Sequence, residues 1–283
     1  MRRTRDARDA VGIVGLGLMG GSLARALRRR FPRRALIGIE TNARARGLAR
    51  RSGIFDSILT RPTDALAACG IVVLCAPVPA ILRLLGPVSR RMRGGAILTD
   101  VGGVKEPIAR AARSAVRKGV VFVGAHPMFG GERGGFASSR ADLWNSGRVA
   151  VCGDGLDREA VRRVARLHRD LGARVVLCSP AEHDAAVAAV SHLPYLVASA
   201  LALAARESGP LARALAGRGF ADSTRMAGFA FGVQGAAAAS NRHLGDAARL
   251  FRKHLDRLDL ALRRRGRSSA FARARSTRRN LIR

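Results

Sequence analysis

The sequence is poor in aromatic and acidic residues. Aromatic side chains make up 4% of its 283 residues, with one Trp and one Tyr, whereas 51 Lys and Arg residues stand against 20 Asp and Glu residues and give a net charge of +31. Nucleic-acid-binding surfaces interleave basic groups with stacking rings, and no such pattern is visible. We therefore expect no nucleic-acid partner, with contacts by the terminal arginine clusters as the minor alternative.

Cysteine is also scarce, and its spacing excludes the common metal and redox motifs. The four cysteines are Cys69, Cys75, Cys152 and Cys178. All lie in or beside apolar runs, which predicts buried free thiols, no metal site and a cytoplasmic location.

One uncharged stretch, residues 185–205, is long enough to span a bilayer. It is rich in alanine, and Ser191, His192 and Pro194 lie in its middle. We interpret it as a buried helix and predict no membrane segment.

The first motif is a glycine-rich turn between a predicted strand, residues 11–14, and a predicted helix. Its sequence is Gly15-Leu16-Gly17-Leu18-Met19-Gly20. In that context the run predicts dinucleotide binding. Gly15 permits the turn, Gly17 lets the backbone approach a pyrophosphate, and Gly20 packs the helix on the strand. The helix N-terminus then offers free N–H groups to the phosphates. The alternative is a glycine-rich turn of an ordinary α/β protein.

An acid at the end of the second predicted strand indicates which cofactor binds. Glu40 follows residues 35–39, where a carboxylate can hold a ribose hydroxyl of NAD and repel the 2′-phosphate of NADP. Arg44 and Arg46 nearby keep NADP open. The remaining cofactor-binding candidates follow later strands and are Ala76, Pro77 and Asp100.

Strand-like and helix-like patterns alternate along residues 11–178. Strands are predicted at 11–14, 35–39, 71–75, 96–99, 120–123, 149–152 and 174–177. Helices are predicted at 20–30, 44–51, 80–92, 105–117 and 157–171. The alternation predicts a parallel, doubly wound sheet that binds its ligands at the carboxyl ends of the strands.

After residue 178 the strand pattern stops and helices follow. Ser179-Pro180-Ala181-Glu182 is typical of a helix start. Residues 179–265 predict an all-helical domain with apolar residues on more than one helix face, so we expect a partner subunit in a homodimer. Residues 1–10 and 266–283 are interpreted as basic tails, the second one disordered or loosely helical.

His126 is the leading catalytic candidate. It lies in GAHPMFGGE after a predicted strand, in what we interpret as a loop at the ligand end of the sheet. A neutral imidazole there could accept the proton of a substrate hydroxyl while hydride leaves the same carbon. The other titratable helix residues are interpreted as lying on the surface, namely His168, His183, Asp184, His243 and His254.

Three further groups have two interpretations each. Asp100 and Lys105 form either a helix cap with a solvated lysine or a turn beside the nicotinamide. His192 is either a core histidine or a ligand contact. Asp222 and Arg225, three residues apart, form either a surface ion pair or a bidentate grip on a substrate carboxylate.

Five motifs together resemble the prephenate/arogenate dehydrogenase family of tyrosine biosynthesis. They are GLGLMGGSLA, DVGGVK, GAHPMFGGE, EHDAAVAAVSHLPYLVASAL and GFADSTRMA, in the family's order. The resemblance implies a Rossmann-type domain at 11–178 and a helical substrate and dimerisation domain at 179–265. It also implies NAD(P)-dependent oxidative decarboxylation, in which hydride leaves the ring carbon bearing the hydroxyl, carbon dioxide is lost and the ring becomes aromatic.

The resemblance also implies roles for particular residues. His126 corresponds to the catalytic histidine that hydrogen-bonds the ring hydroxyl, and Arg225 to the arginine that binds the side-chain carboxylate, oriented by Asp222. Glu132 and His192 correspond to pocket residues.

Two departures from the family bear on the substrate-binding site. Gly103 stands where the family has a serine, and Tyr195 where prephenate-using members often have a second histidine. Prephenate and arogenate therefore both stay open as substrates.

Two alternatives remain at this point. A β-hydroxyacid dehydrogenase shares the glycine-rich opening but needs a catalytic lysine in its helical domain, where this chain has only Lys253. A non-catalytic NAD-binding or nucleic-acid-binding relative would account for the high positive charge and for Gly103.

Overall fold

The computed structural model describes residues 10–145, 147–153, 155, 157–263 and 269–281. Eight strands form one sheet in the order β3-β2-β1-β4-β5-β6-β7-β8. The strands are β1 (Ala10–Val14), β2 (Leu36–Ile39), β3 (Ser57–Leu59), β4 (Cys69–Leu74), β5 (Ile97–Asp100), β6 (Val121–Pro127), β7 (Arg148–Cys152) and β8 (Arg174–Cys178). All seven predicted strands are present. The eighth strand, β3 at the sheet edge, was not predicted, because its three residues are too few to show a sequence pattern.

The predicted parallel, doubly wound sheet is confirmed except at one strand pair. Strand β7 runs antiparallel to β6, whereas the other neighbours pair in parallel. A parallel return needs a crossover, usually an α-helix, whereas the described residues between β6 and β7 form two short 3-10 turns, Phe136–Ser138 and Ala141–Trp144, and no α-helix. The chain therefore returns to the sheet in the opposite direction.

Five helices cover the two faces of the sheet, close to the predicted ranges. They are α1 (Leu18–Arg30), α2 (Ala43–Arg51), α3 (Val78–Ser89), α4 (Glu106–Ala115) and α5 (Arg158–Asp170). The chain moves outward from β1 to β2 and β3 and then crosses back to β4 on the other side of β1. The sheet thus has its switch point between β1 and β4, where open α/β sheets bind ligands.

The core lies on both faces of the sheet. Val11 and Ile13 pack in one apolar cluster with residues of α1 and α5, and the neighbouring Val14 packs in the other with residues of α3 and α4. Because side chains alternate between faces along a strand, burial on both sides explains why the strands read as continuous apolar runs.

The second half of the described chain is helical. Its helices are α6 (Pro180–Val187), α7 (Leu193–Glu207), α8 (Pro210–Leu215), α9 (Arg218–Thr224), α10 (Ala236–Ala239), α11 (Leu244–Arg263) and α12 (Ser269–Leu281). The predicted helix start is confirmed, because Ser179 and Glu182 form a capping box. A π-turn, Ala188–His192, joins α6 to α7 just before Pro194, which lacks the N–H that a regular helix needs.

The continuous helix Pro180–Glu207 is long and apolar enough to cross a membrane by length and composition alone. The same test is passed by core helices of soluble proteins. His183, Asp184 and His192 on this helix are each at most 3% exposed. Only 22% of the most apolar window is buried, however, and Ala198 is the only buried residue of α7, so the predicted buried helix is wrong for most of this stretch in the single chain.

The terminal segments agree only in part with the predicted tails. Ala10 is buried as the first residue of β1 rather than part of a tail, while residues 1–9 lie outside the described part of the chain. Residues 269–281 form the helix α12 with no buried residue, which agrees with the loosely helical alternative for the second tail. Residues 266–268 and 282–283 also lie outside the described part.

Candidate active site

The glycine turn after β1 has the shape of a phosphate-binding site. Gly15 has φ +94°, and a Cβ there would lie 2.4 Å from the backbone oxygen of Cys75. A Cβ on Gly20 would lie 1.9 Å from the backbone oxygen of Gly15, so both positions require glycine. At Gly17, by contrast, no atom of the described residues lies within 4 Å of the Cβ position, which leaves its backbone open to a ligand.

The helix that follows this turn is prepared for an anion. Helix α1 begins at Leu18 with no side-chain cap among the described residues and no acid in its first turn. Its first N–H groups and its positive dipole end are therefore available to a pyrophosphate. Leu16 is buried, whereas Leu18 and Met19 are half-buried beside the turn. These residues fit a dinucleotide.

Glu40 lies beside the same turn, as predicted. Its Oε2 accepts a hydrogen bond from the N–H of Leu16 at 2.8 Å, and its Oε1 accepts one from the N–H of Asn42 at 2.8 Å. The guanidinium of Arg46 donates to the backbone oxygen of Glu40 at 3.0 Å. A carboxylate at this point matches a ribose-hydroxyl contact.

Ala76 and Pro77 flank the glycine turn from β4. The N atom of Ala76 would lie 3.6 Å from a Cβ on Gly15, and Pro77 immediately precedes α3. Both predicted cofactor candidates therefore lie at the switch point.

Asp100 and Lys105 form a buried ion pair, so the predicted solvated lysine is wrong. The two side chains are 0% and 1% exposed. Asp100 also accepts from the N–H of Gly102 at 2.8 Å and of Ala125 at 3.1 Å, and Lys105 Nζ donates to the oxygen of Ala125 at 2.8 Å. The carboxylate is thus committed to the protein, which argues against the predicted cofactor contact of Asp100. The pair fixes β6 against the turn after β5.

His126 belongs to strand β6 and pairs with Ala150 of β7, so its predicted placement in a loop is wrong. The half-buried ring directs one edge at Gly103, because a Cβ there would lie 3.8 Å from Nε2. Burial, assisted by nearby His183, Lys105 and His192, lowers the pKa of His126 well below its usual value of 6.5. The imidazole is therefore neutral near pH 7 and can accept a proton.

His183 and Asp184 are buried behind His126, which contradicts their predicted surface positions. They are 3% and 1% exposed. The Nε2 of His183 lies 2.9 Å from Nδ1 of His126, and its Nδ1 lies 2.6 Å from Oδ1 of Asp184. One signal could have found them. They precede the buried Val187 and Ala188 by four residues, the spacing of one helix face.

His192 is buried and hydrogen-bonded within the protein. Its Nδ1 lies 3.1 Å from the amide nitrogen of Asn241, which can only donate, and the residue is 1% exposed. Burial lowers the pKa of His192. The geometry favours the core-histidine interpretation over a direct substrate contact.

Arg225 pairs with Glu132 and not with Asp222. The Nη1 of Arg225 lies 3.6 Å from Oε1 of Glu132, with the side chains 57% and 46% exposed. Asp222 lies 4.0 Å from Arg218 instead, so the predicted orienting role of Asp222 is corrected. Because Glu132 follows β6, this ion pair brings the guanidinium to the loop after His126. Tyr195 is half-buried on α7.

The remaining histidines divide between core and surface. His168, predicted on the surface, is fully buried and accepts a hydrogen bond from Trp144 Nε1 at 3.0 Å. Burial lowers its pKa to about 4. His243 is half-buried against Glu106 at 3.0 Å, and His254 is exposed as predicted.

Three of the four cysteines are buried, as the sequence predicts. All four thiols are free; Cys69, Cys75 and Cys152 are buried, and Cys178 is half-buried. Within the described ranges, no group of three or more His, Cys, Asp or Glu side chains has a metal-binding arrangement.

Comparison with known proteins agrees with this architecture in both halves. Residues 23–177 match the family model described as prephenate dehydrogenase, nucleotide-binding domain, and residues 179–274 match prephenate dehydrogenase, dimerization domain. A prephenate dehydrogenase of Bacillus subtilis is 30% identical over 225 residues, which cover 78% of this chain and 61% of that protein. The chain thus spans about three fifths of the length of this relative.

Two solved structures are similar over nearly the whole chain. Prephenate dehydrogenase from A. aeolicus in complex with hydroxyphenyl propionate and NAD+ has a TM-score of 0.86 at 27% identity and covers 97% of both chains. Synechocystis arogenate dehydrogenase has a TM-score of 0.79 at 30% identity and covers 96% of this chain and 99% of that one. With family models matched in order across 23–274, the chain belongs to the prephenate dehydrogenase family.

Proposed function

We propose that this protein catalyses the NAD-dependent oxidative decarboxylation of prephenate to 4-hydroxyphenylpyruvate, or of arogenate to tyrosine. The observation that carries the proposal is the neutral imidazole of His126, which lies at the carboxyl edge of the sheet with Nε2 facing Gly103. Strands β1, β4, β5 and β6 run parallel, so this edge also carries the glycine turn. A base and a dinucleotide site at one edge match hydride removal from a carbon that bears a hydroxyl.

The residues around the substrate have two tasks, to accept the hydroxyl proton and to bind the side-chain carboxylate. The Nε2 atom of His126 accepts the hydrogen bond of the ring hydroxyl and holds its proton while the hydride leaves the same carbon. The proton returns to the phenol oxygen once carbon dioxide has left and the ring is aromatic. When bound, the nicotinamide supplies the hydride acceptor. Since aromatisation drives the reaction, positioning and desolvation are the main contributions of the chain.

Arg225 supplies the positive charge for the substrate side chain. Its guanidinium is more than half exposed and contacts Glu132 at 3.6 Å, longer than a charge-assisted hydrogen bond. A substrate carboxylate can therefore replace or share this contact. The buried His192 supports the wall behind Gly103, whereas Tyr195 offers a phenol that donates a hydrogen bond without a charge.

The cofactor assignment rests on Glu40. Its carboxylate accepts from Leu16 beside the glycine turn, where it would hydrogen-bond a ribose hydroxyl and repel a 2′-phosphate. Arg46 donates to the backbone oxygen of Glu40, and Arg44 is exposed. These contacts support NAD over NADP.

A homodimer would cover the apolar side chains that the helical half exposes. Between residues 190 and 262 these include Val190, Leu203, Leu211, Leu215, Phe231, Val233, Leu250 and Leu262, each more than half exposed. Apolar surface of this extent marks an interface. A cytoplasmic location, without membrane or nucleic-acid contact, completes the proposal. The β-hydroxyacid dehydrogenase alternative needs a catalytic lysine in the helical half. The sequence offers only Lys253 there, and Lys253 is exposed on α11.

One assay tests the proposal and its alternatives. The purified protein is incubated with prephenate or arogenate, each with NAD or NADP, and the reduced cofactor is followed by absorbance. We expect reduction of NAD with at least one substrate and a much lower rate with NADP. If neither substrate reduces either cofactor while nucleic acid is bound at physiological salt, a non-catalytic relative is the better interpretation.

A further inference from the structure

We propose that His183 and Asp184 are positioning residues for His126. They form a hydrogen-bonded chain, His126–His183–Asp184, that holds His126 in the tautomer with a proton on Nδ1 and an unprotonated Nε2. The proposal deepens the function proposed above, because that function assigns the acceptor of the substrate proton to Nε2 of His126.

The chain consists of two short contacts between buried groups. Nδ1 of His126 lies 2.9 Å from Nε2 of His183, and Nδ1 of His183 lies 2.6 Å from Oδ1 of Asp184. The two imidazole rings meet edge to face at 69°, with centroids 5.1 Å apart. Both distances are those of hydrogen bonds, so each ring nitrogen in the chain either donates or accepts.

The carboxylate sets the direction of the bond between Asp184 and His183. Burial raises the pKa of Asp184, but hydrogen bonds from His183 and from the N–H groups of Glu106 and Lys105 outweigh it and hold the pKa below its usual value. The ionised carboxylate only accepts, so Nδ1 of His183 carries its proton. When this is the only proton on the His183 ring, its Nε2 is an acceptor and Nδ1 of His126 donates to it. The proton of the neutral His126 ring is thereby placed on Nδ1, and Nε2 is free.

Asp184 is fixed to the sheet domain, although its own helix belongs to the other half. Its Oδ1 and Oδ2 accept from the N–H groups of Lys105 at 2.7 Å and Glu106 at 2.8 Å, at the start of α4. Its backbone oxygen accepts from the amide of Asn241 at 2.7 Å. A carboxylate with these partners cannot rotate freely, so the ring of His183 and, through it, the ring of His126 keep one orientation.

The charges around His126 also fit a positioning role. Lys105 faces it from the start of α4, paired with Asp100 of β5, and His192 faces it from the π-turn. These groups and burial disfavour a positive charge on His126. Asp184, reached through His183, is the anion that opposes this effect when Nε2 takes up the hydroxyl proton. Removal of this anion should slow proton uptake and should not change NAD binding.

The direct test reads the tautomer and needs no turnover. Long-range proton–nitrogen NMR of the full chain labelled with 15N-histidine distinguishes a protonated Nδ1 from a protonated Nε2. The His126 signals are assigned by their loss in His126→Gln. We expect a neutral His126 with its proton on Nδ1. A proton on Nε2 in the wild-type chain would overturn the proposal, whether or not the protein reduces NAD. Absent NAD reduction with the expected tautomer would instead reject the proposed function alone.

Matched variants then connect the tautomer to the reaction. His183→Phe keeps a ring but removes both hydrogen bonds, and we expect kcat to fall about 100-fold, the size of a misplaced catalytic group, with KM and the Kd for NAD within about 2-fold. His183→Gln can still accept from Nδ1 of His126 through its side-chain oxygen, so we expect it to recover part of the lost kcat. His168→Gln is the control, because it alters an equally buried histidine that bonds Trp144 outside the site.

Asp184→Asn tests the charge. We expect the acidic limb of the kcat profile to move to lower pH, because protonated His126 loses its opposing anion. A purely structural role predicts losses that track the melting temperature, equal kcat for His183→Phe and His183→Gln, and an unmoved limb. That combination would reject the proposal.

Discussion

The candidate site has a first wall around His126 and a second wall around Arg225, and the protein holds the first wall more rigidly than the second. On one wall, His126 is part of a strand and of a hydrogen-bonded chain with two residues that are at most 3% exposed, and the buried Lys105–Asp100 pair ties its strand to the neighbouring loop. On the other wall, Arg225 is 57% exposed and touches Glu132 at 3.6 Å. The proposed proton acceptor is therefore held firmly by the protein, whereas the proposed anion-binding group is more than half exposed.

This difference follows from the chemistry that each wall serves. Proton transfer requires correct placement within a few tenths of an ångström, and a packed, fully hydrogen-bonded setting supplies it. An arginine that binds a carboxylate benefits from a long side chain and a solvated ground state, because long-range attraction tolerates displacement. Substitutions on the first wall should therefore affect kcat or stability, and those on the second should affect KM.

The largest effect is expected for His126→Gln. Without a base at this position, kcat should fall by about 10²- to 10⁴-fold, the usual contribution of general acid–base catalysis. The Kd for NAD, measured by fluorescence titration, should stay within about 2-fold because the glycine turn is untouched. His254→Gln, at an exposed position, is the control. Unchanged turnover in His126→Gln would reject the assignment.

The next effect is on stability and concerns Lys105→Met. The substitution leaves Asp100 as a buried charge without its cation, and losing one partner of a buried pair destabilises proteins by about 3–5 kcal/mol. The free energy of unfolding from urea denaturation measures it. Lys118→Met, at an exposed position, should change it by less than about 0.5 kcal/mol. Equal urea midpoints for Lys105→Met and Lys118→Met would show that the Lys105–Asp100 ion pair does not stabilise the protein.

Arg225→Ala should act on substrate binding. Loss of a charged hydrogen-bonding group costs about 1.5–3 kcal/mol, so KM should rise about 10- to 150-fold while kcat changes little. Arg218→Ala removes an arginine from the same helical region that is 95% exposed and paired with Asp222. If the two variants have equal KM values, the second wall lies elsewhere.

The sequence predicted the first half of the fold well because local signals and the global fold agree there. The glycine turn, the apolar strands and the amphipathic helices each specify a local structure, and all seven predicted strands occur. The direction of β7 was not predictable in this way. It depends on the connection between β6 and β7, where no periodic sequence pattern indicates a crossover helix.

The positions of Gly15, Glu40 and His126 at the carboxyl edge of the sheet could be predicted, because each residue lies in a turn or near the end of a strand. It was missed where the role depends on tertiary packing. Asp222 and Arg225 are three residues apart, which favours an ion pair between them. Arg225 instead pairs with Glu132, which lies far away in the sequence. His183 and Asp184 looked exposed because polar residues usually are, and only the fold shows that they are buried.

The pH dependence of kcat/KM should show how far the pKa of His126 is lowered by its surroundings. His126 must be neutral to accept a proton, and its pKa lies well below 6.5. As pH falls through that pKa the ring becomes protonated and kcat/KM should decrease; above it the base is fully available. We therefore expect a constant kcat/KM between about pH 7 and 8, where an unperturbed histidine would still be titrating. An acidic limb centred at or above 6.5 would contradict the burial of His126.

The smallest effect is expected where the two halves of the protein meet, at Gly103. A Cβ at this position would lie 3.0 Å from Cβ of Ala237 on α10 and 3.8 Å from Nε2 of His126. Gly103→Ser would thus bring a hydroxyl near the catalytic nitrogen, but it would crowd the alanine. Overpacking of this kind costs about 1–3 kcal/mol.

A double-mutant cycle separates the crowding from the hydroxyl. In the background of Ala237→Gly the serine gains space, so Gly103→Ser should cost less stability there than in the wild-type chain, with a coupling of about 0.5–1.5 kcal/mol. The Ala237→Gly control alone measures the cost of glycine in the short helix. Additive free energies of unfolding would mean that α10 does not press on the turn after β5. If Gly103→Ser does cost less stability in the Ala237→Gly background, the crowding has been relieved. A few-fold change in KM of the double variant would then measure the effect of the serine hydroxyl on substrate binding.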